Sequence, residues 1–169
     1  IDIKETSGND DIIIVTKHGK SIRFSEKDVR ATGRAAMGVR ALKLGEGDEV
    51  ISMCLVNEED KLLVVTQNGF GKRTPVKDYK KQERGGKGIL TYDKSKFSKT
   101  GELVGAVTVE EDDEVLLINS DGIIIRIEAK DVSEFGRATQ GVKIMKVEED
   151  ANIISMTKVI KEDSEKETD

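Results

Sequence analysis

A chain of 169 residues, 36% hydrophobic but only 4% aromatic and without Trp, has the material for one sizeable domain with a core of Ile, Val and Leu. The single cysteine, Cys54, excludes an internal disulfide, no apolar run approaches the roughly 18–20 residues of a membrane span, and no signal peptide is recognisable. Charged residues make up 36% and the net charge is −5, a balance that by itself argues against a polyanion partner.

In chain order, residues 1–11 begin without Met and read as the cut end of a preceding unit. Residues 12–16 (IIIVT), 62–66 (LLVVT) and 115–118 (VLLI) are short, β-branched runs of the kind buried on both faces of a sheet. Each is followed by a turn ending in glycine: His18-Gly19, Asn68-Gly69, Asp121-Gly122. Asn-Gly and Asp-Gly predict type I′ hairpins. Return strands follow at 21–24 and 123–127, alternating so that Arg23, Arg73 and Arg126 share equivalent faces. A further strand is predicted over 39–44 and its counterparts, and a fourth over 50–56, 103–109 and 153–159. Cys54 falls in such a strand and reads as a buried, inert thiol. Pro75 is placed just after a return strand. No amphipathic helix is predicted. Residues 161–169 (KEDSEKETD) lack an apolar anchor and read as an acidic, disordered tail.

These elements repeat at fixed offsets. From Gly19, Gly69 and Gly122, four residues on lie Arg23, Arg73 and Arg126, and eight and nine on lie Lys27-Asp28, Lys77-Asp78 and Lys130-Asp131. Fifteen on lie Arg34, Arg84 and Arg137, and nineteen on lie Gly38, Gly88 and Gly141. Four short strands per period of about fifty residues is the signature of propeller blades. The prediction is an all-β, propeller-like repeat of four-stranded blades, about three of them in an open arc, with units at roughly 11–59, 60–112 and 113–160. Such an arc has exposed edges, open to strand exchange or dimerisation.

Charge alternates in phase with the repeat. Residues 17–43 hold eight basic and two acidic residues, 72–99 ten and three, and 126–146 five and three. Acidic residues gather at 46–60, 102–114 and beyond 148. A phased basic stripe is the electrostatic footprint of a polyanion-binding surface.

The sharpest motif is Gln82-Glu83-Arg84-Gly85-Gly86-Lys87-Gly88. Its glycines allow close backbone approach to a phosphate, with Arg84 and Lys87 alongside. It lacks the Gly-Lys-Ser/Thr ending of a nucleotide-binding loop. The bland alternative is a glycine-rich turn with incidental charges.

This segment resembles the signature box of the C-terminal domain of the DNA gyrase A subunit: Gln, basic, Arg, Gly, Gly, basic, Gly. The likeness extends over roughly 10–160, through Val29-Arg30-Ala31-Thr32-Gly33, Gly38-Val39-Arg40, Thr66-Gln67-Asn68-Gly69-Phe70-Gly71-Lys72-Arg73-Thr74 and Gly136-Arg137-Ala138-Thr139-Gln140-Gly141-Val142. Glu83 departs from the box, which usually has a basic residue there, and the best copy stands in the second visible unit instead of the first. The resemblance implies a β-pinwheel of four-stranded blades with swapped strands that binds, bends and wraps double-stranded DNA around a basic rim without reading sequence. It implies a place in a type II topoisomerase that supercoils DNA negatively, with the rest of the gyrase A subunit, and the gyrase B subunit, as partners, in the bacterial cytoplasm at the nucleoid. Expected DNA contacts are Gln82, Arg84, Gly85, Gly86, Lys87, Gly88, Arg34, Arg137, Arg23, Arg73, Arg126, Arg40 and Lys72. The corresponding domain of topoisomerase IV, which usually lacks the box, and a propeller-type protein scaffold are the alternatives. Scarce aromatic residues argue against single-stranded nucleic acid. No catalysis, cofactor or metal is expected: His18 falls in a turn, Tyr79 reads as packing, and the family's DNA-cleaving tyrosine lies in an upstream domain.

Overall fold

A computed structural model describes residues 2–159. It contains eleven strands: β1 (Asp11–Thr16), β2 (Lys20–Ser25), β3 (Val50–Val56), β4 (Lys61–Thr66), β5 (Phe70–Pro75), β6 (Ile89–Leu90), β7 (Leu103–Val109), β8 (Glu114–Asn119), β9 (Ile124–Glu128), β10 (Val142–Lys143) and β11 (Ile153–Lys158). One helical turn, α1 (Phe97–Thr100), lies in the longer second unit. Pro75 is the last residue of β5, opposite Lys61, and not beyond it. The tail predicted over 161–169 lies outside the described residues.

The strands form three antiparallel sheets in the orders β3-β1-β2-β6, β10-β5-β4-β7 and β11-β8-β9. The outermost strand of the first sheet therefore comes from the second unit, and that of the second sheet from the third. These borrowed strands are only two residues long, and 39–44 forms no strand at all. The third sheet has three strands among the described residues, one fewer than expected. Strands β3, β7 and β11 stand side by side, joined by Ala106 N–H to Ser52 Oγ at 3.0 Å and Lys158 Nζ to the Thr108 carbonyl at 3.4 Å.

The hairpins differ from expectation. Gly19, Gly69 and Gly122 have φ of +77°, +82° and +79°, while among the described residues no other residue type has positive φ. A type I′ turn needs two such residues. Each glycine N–H instead donates to the carbonyl three residues back, as Gly19 does to Thr16 at 3.0 Å. This is the three-residue loop with a glycine bulge.

Two apolar layers lie between the sheets. Ile13, Val15, Cys54, Leu62, Val64 and Tyr79 fill the first, and Leu63, Val65, Val115, Leu117 and Ile153 the second. Strands β1 and β4 are buried along both faces, as their unbroken apolar runs predict. Strand β8 alternates instead, because no further sheet covers its far face among the described residues. Cys54 is buried, and burial pushes its thiol up to about 11, as an inert thiol requires.

Candidate nucleic-acid interface

Each return strand ends in a turn of 3-10 helix: Glu26–Asp28, Val76–Asp78 and Ala129–Asp131. The turn lifts Lys27, Lys77 and Lys130 into solvent and leads into the segment that carries the repeated Arg and glycines.

These segments interlock. Gln82 N–H donates to the Arg23 carbonyl at 2.7 Å, and Gly85 N–H to Ala41 at 2.6 Å. Lys43 N–H returns a bond to the Gly86 carbonyl at 2.8 Å. Arg84 is half-buried and donates from Nε to the Asp28 carbonyl at 2.7 Å and from a terminal nitrogen to Arg40 at 3.2 Å. Arg137 repeats that role one unit on, donating to the Leu90 carbonyl at 2.9 Å. The loops thus join the units into one continuous strip. Gly88, with φ of +68°, lies so close over the Ser21 carbonyl that no Cβ fits. The glycine-rich loop is therefore first a junction, and its Gly85 N–H is already taken by protein and not open to an anion.

Three expected contacts are corrected. Arg23 and Arg73 are 5% and 6% exposed, and Lys72 is fully buried. Arg23 donates to Asp11 at 2.7 and 3.0 Å, to Glu58 at 3.2 Å, and across the junction to the carbonyls of Val76 and Tyr79 at 3.4 and 3.3 Å. Arg73 does the same one unit later, reaching the Val132 and Lys130 carbonyls at 2.7 and 3.3 Å and Glu111 at 3.0 Å. Burial raises the Asp11 carboxyl, but hydrogen bonds from Lys81 and Arg23 outweigh it and hold the group below the usual carboxylate range. Lys72 Nζ donates to the Gly136 and Arg137 carbonyls and to Thr139 Oγ1, and sits 5.6 Å from the Tyr92 ring centre. Burial, and secondarily the Arg137 charge, push its ammonium down to about 7. Arg126 is the third copy of this arginine. It is exposed and pairs with Glu114.

Among the cations that face solvent are Arg34, Arg40 and Lys87, together with Lys27, Arg30, Lys77 and Lys80, which were not among the expected contacts. The signal for two of them was the repeated Lys-Asp pair. Among the described residues, no carboxylate stands within 4.0 Å of any of these seven. Among the described residues there is also no cluster of three or more His, Cys, Asp or Glu able to hold a metal, and no helix long and apolar enough to cross a membrane.

The model of the DNA gyrase C-terminal domain, a beta-propeller, matches residues 10–57, 60–110 and 113–160. The DNA gyrase A protein of Staphylococcus aureus is 43% identical over 170 residues, which covers 99% of this chain and 19% of that relative. The solved DNA gyrase A C-terminal domain superposes with a TM-score of 0.85 at 34% identity, over 92% of this chain and 52% of its own. The C-terminal domain of DNA topoisomerase IV gives 0.88 at 27%, over 94% and 49%. The chain thus spans a fifth of the full-length relative and half of each solved domain. With its repeat, its interlocked sheets and a family model that covers all three units, this chain belongs to the DNA gyrase C-terminal domain family.

Proposed function

We propose that the chain binds and bends double-stranded DNA without reading its sequence, through the exposed cations of its interlocked loops. The observation that carries this is the sorting of the basic residues. Arg23, Arg73 and Lys72 turn their charge to junctions, while Arg34, Arg40, Lys87, Lys27, Arg30, Lys77 and Lys80 face solvent on the segments that interlock beside those junctions. Cations held this way fix a duplex by its phosphates and carry no sequence information. In the longer protein, the strip serves a type II topoisomerase by wrapping DNA for supercoiling, in the bacterial cytoplasm beside the rest of gyrase A and gyrase B. The chain itself performs no cleavage. The fit to the topoisomerase IV domain supports a second reading, that the same strip serves that enzyme.

The test is a salt titration of binding to a duplex of about 40 base pairs, long enough to span a bent site. Each phosphate that is no longer neutralised flattens the slope of log K against log salt by about 0.9. Arg34→Ala/Arg40→Ala/Lys87→Ala is expected to flatten it by two to three such steps, about 2–3 in all. A slope unchanged by the triple variant rules out this strip as the DNA surface.

A further inference from the structure

Just before its fourth strand, each unit turns beside its own glycine hairpin. The three turns are anchored alike: Lys17, Gln67 and Ser120 donate their backbone N–H to the carbonyls of Glu49, Glu102 and Asn152 at 2.8, 2.9 and 2.8 Å. Their charges are not alike. The first turn holds Glu46, Asp48 and Glu49 with no cation, and the third holds Glu148, Glu149 and Asp150. The second, which is longer, carries Lys94, Lys96 and Lys99 instead.

Those lysines stand on a fixed element. A turn of 3-10 helix, Lys94–Lys96, runs directly into α1. Asp93 caps it by accepting from Ser95 N–H at 3.0 Å and Ser95 Oγ at 2.6 Å. Phe97 stacks on Tyr92 with ring centres 5.9 Å apart. At the far end, Asn68 donates its N–H to the Thr100 carbonyl and its Nδ2 to the Lys99 carbonyl, both at 2.9 Å. The nearby acids are engaged: Asp93 in its cap, and Glu102 with Lys17 and His18 at 3.6 and 3.1 Å. Lys94, Lys96 and Lys99 are exposed, and among the described residues no carboxylate stands within 4.0 Å of any of them.

Strand β5 relates this turn to the basic strip. At its start, the Lys99 and Lys143 ammoniums lie 5.4 and 5.9 Å from the centre of the Phe70 ring, two like charges held beside one side chain. Lys143 is exposed too, and its backbone pairs with Phe70. Just past the other end of β5, at Pro75, stand Lys77 and Lys80. The five residue steps of β5 set the two groups about 17 Å apart. The major groove of a duplex is roughly 12 Å wide and bordered on each side by a phosphate backbone, so groups at this spacing meet both backbones across one groove.

We infer that Lys94, Lys96, Lys99 and Lys143 form a second row of phosphate contacts, which holds the duplex backbone opposite the one held by Lys77 and Lys80. The inference rests on the reading of the strip as a DNA surface and extends it to a turn that the glycine-rich loop does not include. The middle unit then grips the duplex from both sides of a groove, while the acidic turns of the first and third units keep it off their hairpin ends.

The experiment is the salt titration on the duplex of about 40 base pairs, with Lys96→Ala/Lys99→Ala beside a pair of equal charge change on the inner strands' side, Lys4→Ala/Lys158→Ala. The first pair is expected to flatten the slope of log K against log salt by about 2, and the control pair to leave it unchanged. Lys96→Arg/Lys99→Arg is expected to keep the parent's slope. If Arg34→Ala/Arg40→Ala/Lys87→Ala flattens the slope and Lys96→Ala/Lys99→Ala does not, the second row is overturned and the strip stands. Equal flattening by the control pair overturns it as well, since the lysines then act only as diffuse charge. A parent chain with no salt-dependent binding overturns the strip and the second row together.

Discussion

Arg23 sits opposite Ile13 in the antiparallel pair of β1 and β2, so its side chain leaves the sheet on the face that the second sheet covers. That register decides its role. A buried guanidinium must find acceptors, and Asp11 and the carbonyls of the next unit supply them. Arg23→Met strands Asp11 with Lys81 as its remaining partner. It is expected to cost about 1–3 kcal/mol in urea unfolding, since Asp11 keeps Lys81 but the buried Val76 and Tyr79 carbonyls lose their charged donor. The salt slope of DNA binding is expected to stay unchanged, and a flatter slope would return Arg23 to the DNA surface. Lys72 offers a pH test. Its ammonium is pushed down to about 7, below the ordinary 10.5, so above neutrality the unfolded chain holds a proton that the folded chain has released. Stability then climbs with pH from about 7 to about 9. Above that, the Cys54 thiol, pushed up to about 11 from 9.0, works the other way, because the unfolded chain ionises first. Lys72→Met is expected to flatten the climb in thermal melts. An unchanged slope means that another group titrates there.

At the scale of the element, the strands were legible because their signal is local. The runs at 12–16, 62–66 and 115–118 give β1, β4 and β8 nearly residue for residue, and the fourth strands match at both ends in β3 and β7. What the hydrophobic pattern did not show is ownership, which entered only through the swapped strands that the family resemblance implies. Ile89 and Leu90 follow Gly88 in the second unit yet close the first sheet, since hydrophobic period carries no information on which return strand a two-residue arm pairs with. The turn type was missed for a related reason. Asn-Gly fits both a two-residue and a three-residue loop, and only the strand register separates them. The same gap explains the misassigned arginines: a repeated Arg on a repeated face reads equally as a phosphate contact or a bracket. The junction itself predicts that Gly88→Ala, which needs φ of +68° and meets the Ser21 carbonyl, will unseat β6. Left-handed strain for a residue with a Cβ costs about 1–2 kcal/mol before the clash is counted. The expected result is a loss of at least that size with faster amide exchange in β2. Protection equal to the parent's would show that the arm tolerates the methyl by shifting.

At the scale of the molecule, the interlocked loops make the basic strip a semi-rigid former for DNA. Bending a short site smoothly by 40–90° costs about 1–6 kcal/mol, and contacts spaced along the strip must offset it. The contacts do not contribute alike. Lys77, Lys80 and Lys87 belong to the middle unit, where a duplex held by the first unit on one side and by the exposed Lys143 of the third on the other gains affinity with little change of path. Arg30, Arg34 and Arg40 belong to the first unit, where they hold one end of the path down. Lys77→Ala/Lys87→Ala is therefore expected to weaken binding while a bound duplex keeps its bend, whereas Arg34→Ala/Arg40→Ala lets one end spring away. Energy transfer between dyes at the two ends of the duplex, read at saturating protein, separates these outcomes: the end-to-end distance should lengthen only in the second variant. Equal lengthening in both would mean that the strip acts as a diffuse charge and not as three stations along a path.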